Sequence, residues 1–118
     1  MTLVEYPPCT TCRKAKQWLT DQGVPFECRH IKEQNPTEKE LRQWHVLSGL
    51  PLKRFFNTSG VQYKALQLKD ALPAMTEDAQ FALLASDGML CKRPILMGDG
   101  FVCVGFREAE WKTALGIE

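Results

Sequence analysis

The segment YPPCTTCRKAKQWL, residues 6–19, sets Cys9 and Cys12 three positions apart, behind two prolines and ahead of a basic, helix-prone run. Three chemistries use such a pair: thiol–disulfide exchange, half of a tetrahedral metal site, or two thiols packed in a core. A zinc ion needs four ligands, and Cys28 with His30 could complete the set. For exchange, position decides. A helix N-terminus carries unpaired N–H groups and about half a positive charge, which lowers a thiol pKa from about 8.5 into the range of roughly 3.5 to 7.5. Cys9, in a loop leaving a strand, is the candidate nucleophile, and Arg13 can add a cation on the same side. Cys12 falls one turn inside the helix on its apolar face, placed to attack a mixed disulfide on Cys9 and release the partner. The strand-to-helix placement favours a redox-active Cys9–Cys12 dithiol over the other two readings.

The surrounding pattern predicts what must hold this pair. Residues 2–6 alternate as a short strand, ended by Pro7 and Pro8, which cannot donate to a sheet ladder. From 10 to 22, Cys12, Ala15, Trp18, Leu19 and Gln22 share one helical face, and Gly23 stops the helix. Residues 24–31 alternate as a second strand with Phe26, Cys28 and His30 on one side, so Cys28 is expected to be a small buried hydrophobe, as is Cys103 beside Phe101. Thr37 to Glu40 reads as a capping box, opening a helix that carries Leu41, Trp44 and Leu47 or Ser48 to Gly49. Strand, helix, strand, helix favours a parallel pair with a right-handed crossover. Residues 50–85 form short helical groups, a helical insert. Residues 93–97 and 101–105 flank Gly98-Asp99-Gly100 as a hairpin, and 108–115 closes as a helix. His45, one residue past Trp44, is expected to face solvent, and on pattern alone Lys92 and Arg93 are surface charges.

With 118 residues, 44% hydrophobic and 25% charged, the chain is in the range of one compact domain, 1–118, that needs no staple to fold. A net charge of +1 supplies no global attraction to nucleic acid or to an anionic membrane, which points to small partners. Neither a signal-peptide pattern nor an apolar run of about 18 residues is present, so the expected location is cytoplasmic. Five cysteines, an odd number without an export signal, are expected as thiols. The Asn57-Thr58-Ser59 glycosylation match is then without consequence. A monomer is the default.

Pro8-Cys9-Thr10-Thr11-Cys12-Arg13-Lys14-Ala15, Lys92-Arg93-Pro94-Ile95 and Val104-Gly105-Phe106 together resemble the arsenate reductase-like (ArsC/Spx) family of thioredoxin-fold proteins. The resemblance covers the whole chain in order and spacing. It implies an α/β thioredoxin-like fold: a central mixed β-sheet flanked by helices, with a helical insert. It implies a cis Arg93–Pro94 bond facing the cysteine loop, with Arg93 beside Cys9 as an oxyanion or thiolate partner and Pro94 shaping the site. No metal or organic cofactor is implied, and glutathione, glutaredoxin or thioredoxin would serve as reductant. Arsenate reductases of the family surround their anion with three arginines. Arg93 matches one, while the other two positions fall near Asn57 and Phe106, with Lys53, Arg54 and Arg107 close by. The Spx-type branch uses the same Cys-x-x-Cys as a disulfide switch and binds RNA polymerase rather than DNA, but tends to carry a basic C-terminal extension, which this chain lacks.

Overall fold

The structure, a computed structural model, describes residues 1–117. Four short strands form one mixed sheet: β1 (Thr2–Glu5), β2 (Glu27–His30), β3 (Ile95–Gly98) and β4 (Phe101–Val104), in the order β2-β1-β3-β4. β1 runs parallel to β2, with Leu3 opposite Cys28 and Glu5 opposite His30. It runs antiparallel to β3, which is antiparallel to β4. The parallel pair requires a crossover, which α1 (Thr10–Asp21) supplies. Gly23, at φ +71°, then takes the left-handed conformation that ends the helix.

Strand alternation sends Leu3, Leu96 and Cys103 to one face of the sheet, where they pack with Ala15, Trp18 and Leu19 of α1 and with Trp111 of α6 (Glu108–Leu115). Val4, Ile95, Val102 and Val104 face the other side. There they meet Leu41 and Trp44 of α2 (Glu38–Ser48) and Phe81 and Leu84 of α5 (Glu77–Ser86). The insert completes this second layer with α3 (Val61–Ala65), α4 (Leu68–Ala71) and 3-10 turns at Leu52–Phe55, Leu72–Ala74 and Gly88–Leu90. Its ends are tied together: Asn57 N–H donates to the Leu90 carbonyl and Lys92 N–H to the Phe55 carbonyl, both at 2.8 Å.

The capping box is present. Thr37 Oγ1 accepts from Glu40 N–H, and the Glu40 carboxylate accepts from Thr37 N–H, each at 3.1 Å. Glu40 also takes a two-pronged contact from Arg29 of β2, at 2.6 and 2.9 Å. Arg29 chiefly, with Thr37, holds the Glu40 carboxyl down to about 2 against the effect of burial.

Three expectations need correction. Cys28 is exposed: β2 is an edge strand, where alternation alone does not ensure cover. His45 is half-buried rather than solvated, packed edge-on against Phe55 and Phe81 with centroids at 6.0 and 5.6 Å. The second strand is also shorter than 24–31. It starts after Pro25, and Ile31, fully buried, lies past its end.

Candidate active site at the start of α1

Pro7 and Pro8 end β1, and the chain turns with Cys9 N–H donating to the Tyr6 carbonyl at 2.9 Å. Cys9 is itself the N-cap of α1. It is extended at φ −75° and ψ 123°, and its sulfur accepts from Cys12 N–H at 3.4 Å. A side-chain acceptor at this position satisfies an otherwise unpaired helix donor, and here the acceptor is a thiol. Burial pushes the Cys9 thiol up, but the Cys12 N–H, the Cys12 thiol and the Arg93 guanidinium beside it more than offset this, and the net shift is downward.

Cys12 is fully buried. Its thiol is pushed up to about 12, first by burial, with the Cys9 sulfur and the Glu5 charge adding to the rise and the Tyr6 backbone acting against it. The two cysteines thus differ sharply in acidity over one helical turn. Cys9 is the more acidic thiol and Cys12 the less acidic one, the order an attacking and a resolving cysteine need.

Arg93 precedes Pro94 across a cis peptide bond. Its guanidinium carbon stands 5.1 Å from the centroid of the Tyr6 ring, and its Nε and Nη1 are buried without a hydrogen-bond partner. Planar donors left unpaired beside an acidified thiol suit an oxyanion. Arg13 is placed differently: its Nε donates to the Pro7 carbonyl at 3.1 Å, bracing the loop. The cation acting on the Cys9 sulfur is Arg93.

Cys9 opens into a cavity of about 550 Å³ whose wall includes Thr11, Lys32, Asn57, Lys92 and Arg93. A neighbouring cavity of about 470 Å³ shares Thr11 and Lys92 and adds Lys53, Arg54 and Arg107. Lys32 and Lys92 escaped the sequence reading, although Lys92 adjoins Arg93 in the motif. Tyr6 and Glu5 escaped it too, because both read simply as strand residues. Of the arginine positions near Asn57 and Phe106, Arg54 and Arg107 both reach toward Glu110, at 3.9 and 3.6 Å, in the neighbouring cavity rather than on the sulfur.

Cys28 and His30 do not join the cysteine pair. His30 Nδ1 accepts from the N–H groups of Lys32 and Glu33 at 3.2 Å each. Among the described residues no group of three or more His, Cys, Asp or Glu side chains is placed to hold a metal ion, and no helix is long and apolar enough to cross a membrane.

Comparison with known proteins covers nearly the whole chain. The chain is 50% identical over 112 residues to the uncharacterized protein YusI of Bacillus subtilis, spanning 95% of each chain. It is 30% identical to the global transcriptional regulator Spx of Staphylococcus epidermidis, covering 98% of this chain and 86% of the relative. The crystal structure of a possible arsenate reductase from Streptococcus mutans superposes with a TM-score of 0.87 at 46% identity, covering 96% of each chain. Residues 4–114 match the ArsC family model. With a mixed four-stranded sheet, helices on both faces and a thiol at the start of the first helix, the chain belongs to the ArsC family.

Proposed function

We propose that this protein is a single-domain thiol–disulfide oxidoreductase in which Cys9 is the nucleophile, Cys12 the resolving thiol and Arg93 the electrostatic partner. Arg13 braces the cysteine loop and Pro94 shapes its floor. The observation that carries the reading is the opposed acidity of the two thiols across one turn of α1: Cys9 lowered, Cys12 pushed up to about 12. Cys9 thiolate attacks one sulfur of a substrate disulfide, and the other sulfur leaves as a thiolate. Cys12 then attacks Cys9 of the mixed disulfide and the second substrate thiol departs, leaving a Cys9–Cys12 disulfide. Two electrons have passed to the substrate. A thiol reductant of the glutathione, glutaredoxin or thioredoxin class restores the dithiol.

A second reading keeps only Cys9. The unpaired Arg93 donors and the likeness to a possible arsenate reductase support an oxyanion substrate. Cys9 would bond to arsenic(V) with loss of hydroxide. A glutathione thiol would then bond to Cys9, and the two sulfurs would give up two electrons as arsenic(III) leaves. A regulator of the Spx kind, engaging RNA polymerase according to the Cys9–Cys12 state, is supported by 30% identity to a protein of that name. Polymerase subunits missing from pull-downs under both reducing and oxidising conditions would sink it.

The deciding experiment is peptide mass spectrometry after mild oxidation with glutathione. A Cys9–Cys12 disulfide is expected. A stable glutathione adduct on Cys9 with Cys12 free would replace the dithiol reading with the single-cysteine one.

A further inference from the structure

The cations of this chain are unevenly placed. Its 15 Lys and Arg nearly balance its 14 Asp and Glu, yet the walls of the Cys9 cavity and of its neighbour together carry Lys32, Lys53, Arg54, Lys92, Arg93 and Arg107 and, among the described residues, no carboxylate. Glu110 approaches this group from outside the walls. It stands 3.9 Å from Arg54 and 3.6 Å from Arg107, too far for a hydrogen bond to either. Among the described residues Lys32, Lys53 and Lys92 form no ion pair. Gathering like charges in a concave wall costs repulsion that an anionic partner relieves, and it focuses the field that draws such a partner in. Lys92 belongs to both cavities, and the fold fixes its place. Its N–H donates to the Phe55 carbonyl at 2.8 Å, and its stem runs over Gly105, where a Cβ would stand 3.3 Å from Lys92 Cε.

An anion bonded to the Cys9 sulfur needs only part of this group. Arg93 is the cation that bears on that sulfur. Lys53, Arg54 and Arg107 line the neighbouring cavity and suit charges carried farther along a substrate. The same cavity has an apolar side made by Pro51, Phe56, Val104 and Phe106, and the wall of the Cys9 cavity includes Val61, 82% exposed. At about 550 and 470 Å³, each cavity alone is of the size that takes a whole small ligand, whereas a stretch of polypeptide can lie through both, crossing Lys92. We propose that the two cavities dock an acidic segment of a protein substrate, with its disulfide-bonded cysteine at Cys9 and neighbouring carboxylates on Lys92, Lys53, Arg54 and Arg107. This rests on the dithiol reading above and names its substrate class: a protein disulfide flanked by Asp or Glu.

The test uses the full chain carrying Cys28→Ser, which removes the exposed thiol, and three synthetic peptides that differ only in the residues flanking one cysteine: Glu, Gln or Lys. Each cysteine is joined to 2-thiopyridine as a mixed disulfide. Cys9 bonds to the peptide sulfur and thiopyridone leaves, which gives the rate; Cys12 then attacks Cys9 and the peptide departs as a thiol. The Glu peptide is expected to react on the order of tenfold faster than the Gln peptide, and the Lys peptide slowest. Equal rates overturn the proposal. Lys53→Gln with Arg107→Gln is expected to bring the Glu-to-Gln ratio toward 1, and a ratio is blind to any general loss of reactivity; an unchanged ratio overturns the proposal. Should that double variant fail to fold, salt reads the same charges in the protein without it, since added sodium chloride screens them and should shrink the advantage of the Glu peptide. An advantage indifferent to salt overturns the proposal. The thiopyridyl disulfide of glutathione is the small-molecule arm, and a rate equal to that of the Glu peptide overturns the choice of a protein segment. Mass spectrometry of the same mixtures separates this proposal from the reading beneath it. A peptide retained on Cys9 removes the dithiol reading and the substrate named here with it, whereas release of all three peptides at equal rates removes this proposal alone.

Discussion

At the residue scale, the acidity of Cys9 comes from three neighbours that act together against burial: the Cys12 N–H, the Cys12 thiol and Arg93. Arg93 is the one that substitution can remove without disturbing the helix. Arg93→Met is expected to shift the pH profile of Cys9 alkylation by iodoacetamide upward and to slow the reaction at neutral pH several-fold, as less of the thiol is ionised. An unchanged profile would assign the acidity to the helix end alone. The same arginine offers two buried nitrogens without partners, so the variant should also lose any protection that phosphate or arsenate gives Cys9 against alkylation. Sequence spacing shows the thiol pair and the helix it caps. It does not show Glu5 or Tyr6 as site residues, because their proximity to Cys12 and Arg93 exists only once β1, α1 and the 92–94 segment have come together.

At the scale of elements, the parts that announce themselves are those with local chemistry. The prolines after β1, the apolar stripe of α1, the Thr37–Glu40 box and the Gly98-Asp99-Gly100 turn each specify their structure from a few adjacent residues. Gly100 takes φ +78° in that turn, and the Phe101 ring lies so close over Gly98 that a Cβ there would strike it. The insert is less legible, since helices as short as α3 and α4 owe their form to tertiary contact rather than period. Cys28 is misread for a related reason: which strand ends up at the sheet edge is a property of strand order. Glu40 shows how one residue serves two elements, closing the cap of α2 and holding Arg29 of β2. Its carboxyl ordinarily titrates at 4.5 and is held here at about 2, so the stabilisation is complete above pH 4.5 and is lost as pH falls toward 2. Glu40→Gln is expected to cost about 1 to 2 kcal/mol at neutral pH and to flatten the acid side of the stability profile between those values, measured by urea unfolding. Equal acid sensitivity in both proteins would mean that the pair contributes nothing.

At the scale of the molecule, three cysteines are held protonated by the core: Cys12 and Cys91 pushed up to about 12 and Cys103 to about 11, each first by burial. An unfolded thiol ionises near its ordinary value of 9.0. Folded pKa values above unfolded ones mean stability that is intact below pH 9 and declines as pH rises toward 11 and 12, at about 1.4 kcal/mol per pH unit for each group. Urea unfolding at pH 8 and pH 10 should show the loss, and Cys91→Ala should reduce its slope even while lowering stability at pH 8. The corner after β4 has a wider consequence. Gly105, at φ +76°, donates its N–H to the Pro94 carbonyl at 2.8 Å and accepts at its own carbonyl from Trp111 Nε1 at 3.0 Å. A single residue, Gly105, thereby anchors the residue that follows Arg93 to the tryptophan at the centre of the α1–α6 layer. The candidate site is therefore not portable. A synthetic peptide of residues 6–19 has both cysteines yet should titrate as ordinary thiols, and a graft of that loop onto another scaffold would stay inert unless the 92–94 and 104–111 segments travelled with it.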